Sequence, residues 1–109
     1  MRKIIILFAL TFFSVSLLAD GKTIFNSKGC TACHQPSADS VGPSLKSIST
    51  SYKGQLGDLI KFLKGEGKPR LDKGKFAGQF ETVMKLQLSQ TKSLNANDLK
   101  QLAEFLLSH

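Results

Sequence analysis

The sequence predicts an all-α domain of about four short helices. Apolar residues recur at the spacing of a helix face in three separate segments, and nowhere do they alternate as in a half-buried strand. Glycine, proline and serine separate these segments, which is typical of helix ends and loops. The chain has 109 residues, which corresponds to one small domain.

Residues 1–19 have the pattern of a secretory signal peptide. Arg2 and Lys3 supply the positive charge at its start, an apolar run follows, and Ala19 is the small residue that signal peptidase accepts. The apolar stretch covers residues 4–19, shorter than the ~20 residues that span a membrane, which disfavours an uncleaved anchor. We therefore predict export to the periplasm and a mature domain of residues 20–109.

The mature domain is predicted to divide into helices and loops as follows. Residues 21–28 form a first helix that ends at Gly29, and residues 35–51 form a loop because they are rich in Ser, Gly and Pro. A last helix begins near Asn95, whose side chain can cap it. Two amphipathic helices lie between the loop and the last helix. The apolar face of one consists of Leu56, Leu59, Ile60 and Leu63, and that of the other consists of Phe76, Phe80, Val83 and Met84.

Cys30, Cys33 and His34 form the motif C-x-x-C-H, which is the attachment site of a c-type haem. The two intervening residues bend the chain so that both sulfurs can bond the two vinyl groups of the porphyrin. His34 is then placed to bind the iron as the proximal axial ligand. A flat apolar cofactor would also complete the core of a domain this small, so we expect the chain without haem to fold poorly.

Three alternatives for the two cysteines stay open. They could form a thioredoxin-type redox pair, a plain disulfide of an exported protein or, together with His34 and His109, a zinc site. A redox pair needs a preceding strand, and His109 is the last residue of the chain, where side chains are usually mobile. We therefore favour haem.

Met84 is the predicted second axial ligand of the iron. It is the only methionine beyond the signal peptide, and it lies far enough after His34 to return from the other side of a porphyrin ring. A thioether is a soft ligand that raises the reduction potential and blocks small ligands. The alternatives are a core methionine, ligation by His109 and an open site.

The charge of the mature domain is positive and diffuse. Without Arg2 and Lys3, 13 basic and 8 acidic side chains leave a net charge of +5. No basic run is interleaved with aromatic residues, so we do not expect nucleic-acid binding. Such a surface suits brief encounters with acidic proteins or anionic membrane surfaces, although a soluble protein that is simply basic has it too. Lys28, Lys46 and Lys85 are candidates for docking.

Over nearly all of residues 21–108 the chain resembles the small soluble class I c-type cytochromes of bacteria. The C-x-x-C-H motif, a following Gly-Pro, a single late methionine and a terminal helix occur in that family's order. In the family, a Gly-x-x-x-aromatic segment of the first helix crosses an aromatic residue of the last helix. Gly21, Phe25 and Phe105 match this pattern.

The resemblance implies a class I cytochrome c fold wrapped around one covalently attached haem c. It also implies that the backbone carbonyl of Pro43 accepts a hydrogen bond from His34 and so orients the imidazole. Cys30 and Cys33 would hold the haem, with His34 and Met84 as the axial ligands.

The function that this implies is one-electron transfer between respiratory proteins, without enzymatic activity. We expect a monomer that receives electrons from a membrane quinol-oxidising complex and passes them to a terminal oxidase or peroxidase. The alternative is a haem c peroxidase or gas-binding protein with an open distal site. Peroxide chemistry normally needs a distal acid–base group, and only His109 is spare.

Two features depart from the family's pattern. Many relatives have proline two residues after the ligand methionine, where this chain has Leu86. The tryptophan that often contacts a haem propionate is also absent. Tyr52 and Arg70 are candidates to replace it, but we predict both as ordinary surface side chains.

Overall fold

The computed structural model describes residues 20–109, which form helices, turns and loops without a strand. The predicted signal peptide lies outside these residues. The all-α prediction is confirmed, with five α-helices where about four were expected. They are α1 (Gly21–Ser27), α2 (Leu45–Ser51), α3 (Leu56–Leu63), α4 (Lys85–Lys92) and α5 (Ala96–Leu107).

Helices α1 and α5 cross at very close range. Gly21 is buried at the start of α1, and a Cβ atom there would lie 2.5 Å from Phe105 Cβ and 2.8 Å from the carbonyl carbon of Gln101. One turn later the ring of Phe25 packs 5.4 Å from the ring of Phe105. The expected crossing is therefore present, and it depends on the missing side chain of Gly21.

Side-chain caps begin α1 and α5. The Asn95 side chain accepts a hydrogen bond of 2.8 Å from the backbone N–H of Asp98, so the predicted start of α5 is confirmed. Asp20 caps α1 in the same way, accepting from the backbone N–H of Thr23 at 2.8 Å. This bond lowers the pKa of the Asp20 carboxyl because it stabilises the ionised form.

Helix α2 corrects the prediction of a continuous loop over residues 35–51. Ser44 caps it by accepting a hydrogen bond of 3.0 Å from the backbone N–H of Ser47. Ser49 is buried, and its hydroxyl donates to the carbonyl of Leu107 in α5 at 3.0 Å. The serines that suggested a loop therefore cap this helix and dock it on α5.

The predicted helix over Phe76–Met84 is helical only in its second part. A 3₁₀ turn covers Gly74–Phe76, and a π-helical turn, Phe80–Met84, leads directly into α4. In the π turn the backbone N–H of Lys85 donates to the Phe80 carbonyl, five residues back. The helix then continues to Lys92, well past the apolar pattern, because Leu88 and Thr91 are buried against the rest of the fold.

The core lies where α1, α2 and α3 pack against α5, and α4 contributes Leu88 to it. Its buried apolar side chains are Ile24, Phe25, Leu45, Tyr52, Leu59, Leu63, Leu88, Leu99, Leu102, Ala103 and Leu106. Several of them also line a cleft on one side of the molecule, where an apolar cofactor could pack against the core. Within residues 20–109, every helix is too short or too polar to cross a membrane.

Candidate functional site

The C-x-x-C-H motif forms a tight turn immediately after α1. Gly29 takes a left-handed backbone conformation with φ 73°, and the chain then enters a 3₁₀ turn over Cys30–Ala32. The backbone N–H of His34 donates to the carbonyl of Cys30 at 3.1 Å. Both cysteines and His34 consequently line the same cleft.

The cleft is large and predominantly apolar. About 930 Å³ of space lies among its lining side chains, a volume that includes space open to solvent. Side chains from every helix except α4 and from the connecting segments line it. Its apolar lining residues include Phe25, Pro43, Ile48, Leu59, Phe62, Leu63, Pro69, Leu71, Phe76, Phe80, Val83, Met84, Leu102 and Leu106.

One hydrogen bond determines the tautomer of His34. Its Nδ1 lies 2.6 Å from the backbone carbonyl oxygen of Pro43. A carbonyl oxygen can only accept, so Nδ1 carries the proton and, in the neutral ring, Nε2 keeps its lone pair. Pro43 therefore leaves His34 with a free ligand nitrogen, in the arrangement that the family resemblance implies.

Gly42 packs directly against the imidazole of His34. A Cβ atom at Gly42 would lie 2.9 Å from Cε1 and 3.1 Å from Nδ1 of that ring. The backbone cannot easily retreat, because the N–H of Gly42 donates to the carbonyl of Cys33 at 2.9 Å. The absence of a side chain at Gly42 is thus a condition for the position of His34.

Replacing Gly42 with alanine should displace His34. We expect the haem-loaded protein to lose about 1–3 kcal/mol of unfolding free energy, as overpacking usually does. The hydrogen bond to Pro43 should also weaken, which moves the His34 Nδ1 proton upfield in the NMR spectrum of the reduced protein. Thermal unfolding and that resonance are the measurements. The matched control is Val41→Ala, since Val41 is adjacent and 57% exposed; equal effects of both variants would contradict the prediction.

Met84 ends the π-helical turn and lines the same cleft as His34. Phe76, Phe80 and Val83, its partners in the apolar pattern, line the cleft as well. π turns are common at functional sites because the extra residue re-aims the side chains that follow. The structure thus brings the two sequence-predicted axial ligands to one cavity.

His109 lies elsewhere. Its Nδ1 is 3.0 Å from the Phe105 carbonyl, and its ring packs edge-on against the Phe105 ring at 4.9 Å. It is outside the cleft lining, so the structure does not favour it as an axial ligand or as a zinc ligand with the two cysteines. In residues 20–109, no three His, Cys, Asp or Glu side chains group as a metal site.

The cysteine thiols are not joined to each other. Both are free and half-buried, and burial raises the pKa of the Cys30 thiol. No strand precedes them in the described part of the chain, so the setting expected for a thioredoxin-type pair is missing. Two thiols beside an apolar cleft, followed by an imidazole with a free Nε2, fit the demands of a covalently attached haem.

The sequence-based prediction that Tyr52 and Arg70 are ordinary surface side chains is wrong. Tyr52 is only 4% exposed and lines the cleft. The Arg70 guanidinium lies 4.3 Å from the centre of its ring, a cation–π geometry. Arg70 also donates to the Ser51 carbonyl and to the Asp58 carboxylate, both at 3.0 Å. Burial raises the pKa of the Tyr52 phenol.

Sequence reasoning missed α2, and with it the cleft residue Ile48, because it treated this region as a loop. Leu45, Ile48 and Tyr52 are spaced i, i+3 and i+7, which is the pattern of one helix face. Ser44 before them is a favourable N-cap. These two local signals together could have identified the helix.

Comparisons with known proteins point to one family. The sequence model of the family described as Cytochrome c matches residues 18–109. Cytochrome c-551 of Azotobacter vinelandii is 43% identical over 37 residues, which are 34% of this chain and 45% of that protein. Cytochrome c2 of Rubrivivax gelatinosus is 55% identical over 29 residues, 27% of this chain and 34% of the relative.

A third relative is cytochrome c-551 of Pseudomonas aeruginosa, 40% identical over 38 residues, which are 35% of this chain and 36% of that protein. The matched stretches therefore span less than half the length of each of these curated relatives.

Proposed function

Because this chain belongs to the cytochrome c family, as a small class I c-type cytochrome with one covalently attached haem c, we propose that it is a periplasmic one-electron carrier. The observation that carries the proposal is the meeting of His34 and Met84 at one apolar cleft. If both residues bind the iron, no position on it would stay open for a substrate, which favours electron transfer over peroxide or gas chemistry.

Cys30 and Cys33 are proposed to hold the haem through thioethers. The bound haem supplies an iron that exchanges one electron. His34 would bind the iron through the lone pair of Nε2, and its ring is oriented by the Pro43 carbonyl, 2.6 Å from Nδ1. Met84, at the end of the π-helical turn, would provide the second ligand. The apolar cleft walls would cover most of the haem surface, so few polar groups would have to reorient when the charge of the iron changes.

We further propose that the mature protein is a monomer of residues 20–109, released after cleavage of a signal peptide of residues 1–19. Its partners would be redox proteins: a membrane quinol-oxidising complex as donor and a terminal oxidase or peroxidase as acceptor. The net positive charge of the mature chain supports encounters with acidic partners or anionic membrane surfaces. Lys28, Lys46 and Lys85 are proposed as part of the docking surface.

Absorption spectra of the exported, haem-loaded protein test the proposal. We expect a near-infrared charge-transfer band from iron–sulfur ligation in the ferric form, a reversible one-electron couple, and no spectral change when carbon monoxide is added to the ferrous form. The intact mass should equal residues 20–109 plus one haem. Carbon monoxide binding by the unmodified protein would instead favour a gas-binding protein or a peroxidase.

A further inference from the structure

The peptide group between Pro43 and Ser44 makes two hydrogen bonds, one at each end. Its carbonyl oxygen accepts from His34 Nδ1 at 2.6 Å. Its N–H, which belongs to Ser44, donates to the Asp39 carboxylate oxygen Oδ1 at 2.8 Å. An imidazole, one peptide group and a carboxylate are thus connected in series.

The Asp39 carboxylate is held in place by further contacts. The hydroxyl of Ser47 donates to Oδ1 at 3.2 Å, and the Lys75 ammonium lies 3.8 Å from Oδ2. The hydrogen bond from the backbone N–H of Ser44 is the main cause that lowers the pKa of this carboxyl, so Asp39 is ionised at neutral pH. The series of hydrogen bonds that begins at His34 therefore ends at a negatively charged carboxylate.

We propose that Asp39 is a positioning residue that adjusts the electron-donating strength of His34 through the Pro43–Ser44 peptide. An anion that accepts from an amide N–H shifts electron density toward the carbonyl oxygen of the same amide. That oxygen then becomes a stronger acceptor for the Nδ1 proton of His34, and the imidazole gains anionic character. The inference rests on the proposed role of His34 as an iron ligand.

A more basic imidazole stabilises ferric iron relative to ferrous iron, because the oxidised metal carries the extra positive charge. Asp39 should therefore lower the reduction potential of the protein. Its influence differs from that of an ordinary surface charge, since salt screens exposed charges but does not interrupt two short hydrogen bonds through one peptide group.

Asp39→Asn tests this inference in the haem-loaded protein, because an asparagine of nearly the same shape can still accept from Ser44 but lacks the charge. We expect the ferric-to-ferrous equilibrium to shift about threefold toward ferrous, a rise in potential of roughly 28 mV at 59 mV per tenfold. In the reduced protein, the Ser44 amide proton and the His34 Nδ1 proton should both move upfield.

Glu66→Gln is the matched control, since it removes one exposed negative charge that pairs only with Lys64 at 3.9 Å in the described residues. Glu66→Gln should leave the Ser44 amide and His34 Nδ1 proton resonances in place, and it should change the reduction potential less than Asp39→Asn does. A potential shift in Asp39→Asn without movement of the two resonances would show simple through-space electrostatics and overturn the inference. Unchanged resonances and an unchanged potential would overturn it as well.

Lys75→Gln provides a second variant should Asp39→Asn fail to accumulate. This variant removes the cation beside Oδ2, so the negative charge of the Asp39 carboxylate is less neutralised. We therefore expect the His34 Nδ1 proton to move downfield and the reduction potential to fall. An unchanged Nδ1 resonance would contradict the inference.

The proposed electron-carrier function is tested separately, by the reversible couple and the carbon monoxide test of the unmodified protein. Failure of the Asp39 inference leaves that result untouched.

Discussion

Replacing Met84 with alanine is expected to remove the iron–sulfur charge-transfer band and to open the ferrous protein to carbon monoxide. The reduction potential should fall by on the order of 100 mV or more, since axial-ligand identity moves haem potentials over about 0.8 V. The reason is that a thioether favours ferrous iron and occupies the position that a diatomic ligand would take. Absorption spectroscopy and a redox titration measure both effects.

Leu86→Ala is the control for this variant. Leu86 follows two residues later on the same helical stretch, is 71% exposed and lies outside the cleft lining. It should keep the band, the potential and the resistance to carbon monoxide. If Met84 were only a core residue, Met84→Ala would cost about 2–5 kcal/mol of stability and leave the spectrum unchanged. That outcome would reject Met84 as the ligand.

Replacing Gly21 with alanine is expected to cause the largest loss of stability among single glycine substitutions in the described domain. The new Cβ would meet the Gln101 carbonyl and lie 2.5 Å from Phe105 Cβ, so α1 and α5 must separate. We expect the unfolding free energy to fall by about 3 kcal/mol, because overpacking against backbone cannot be relieved by a side-chain rotation. Denaturant unfolding of the haem-loaded protein measures this.

Gly57→Ala is the matched comparison. Gly57 lies in α3, and a Cβ atom there would meet no atom within 4 Å. Alanine should therefore stabilise the protein by about 0.5–1 kcal/mol through its better helix propensity. If Gly21→Ala were as harmless as Gly57→Ala, the close crossing of α1 and α5 would not contribute to stability.

The parts of the fold that the sequence predicted correctly carry strong local signals. Helix α3 shows four apolar residues at helical spacing, and its bounds, Leu56–Leu63, agree with that pattern. Helix α5 begins after Asn95, whose cap is a contact within one turn. Such signals act between residues three to seven positions apart, so they can be recognised without knowing the rest of the structure.

The mistaken parts depend on distant contacts. Helix α2 is rich in serine, and its burial relies on Ser49 bonding to Leu107, 58 residues away. The Tyr52 side chain is buried because the Phe62 ring packs beside it and the Arg70 guanidinium lies over its ring. Composition alone describes both regions as loop or surface, since it contains no information about what they pack against.

By itself, the sequence determined the chemistry that this domain can support, because Cys30, Cys33 and His34 are neighbours and their spacing is a covalent property of the chain. Only the tertiary structure decided how that chemistry is arranged. It brings Met84 to the cleft of His34, excludes a side chain at Gly42, and connects Asp39 to His34 through one peptide group. These contacts depend on how the loops and helices pack, and packing geometry cannot be read from the order of residues along the chain.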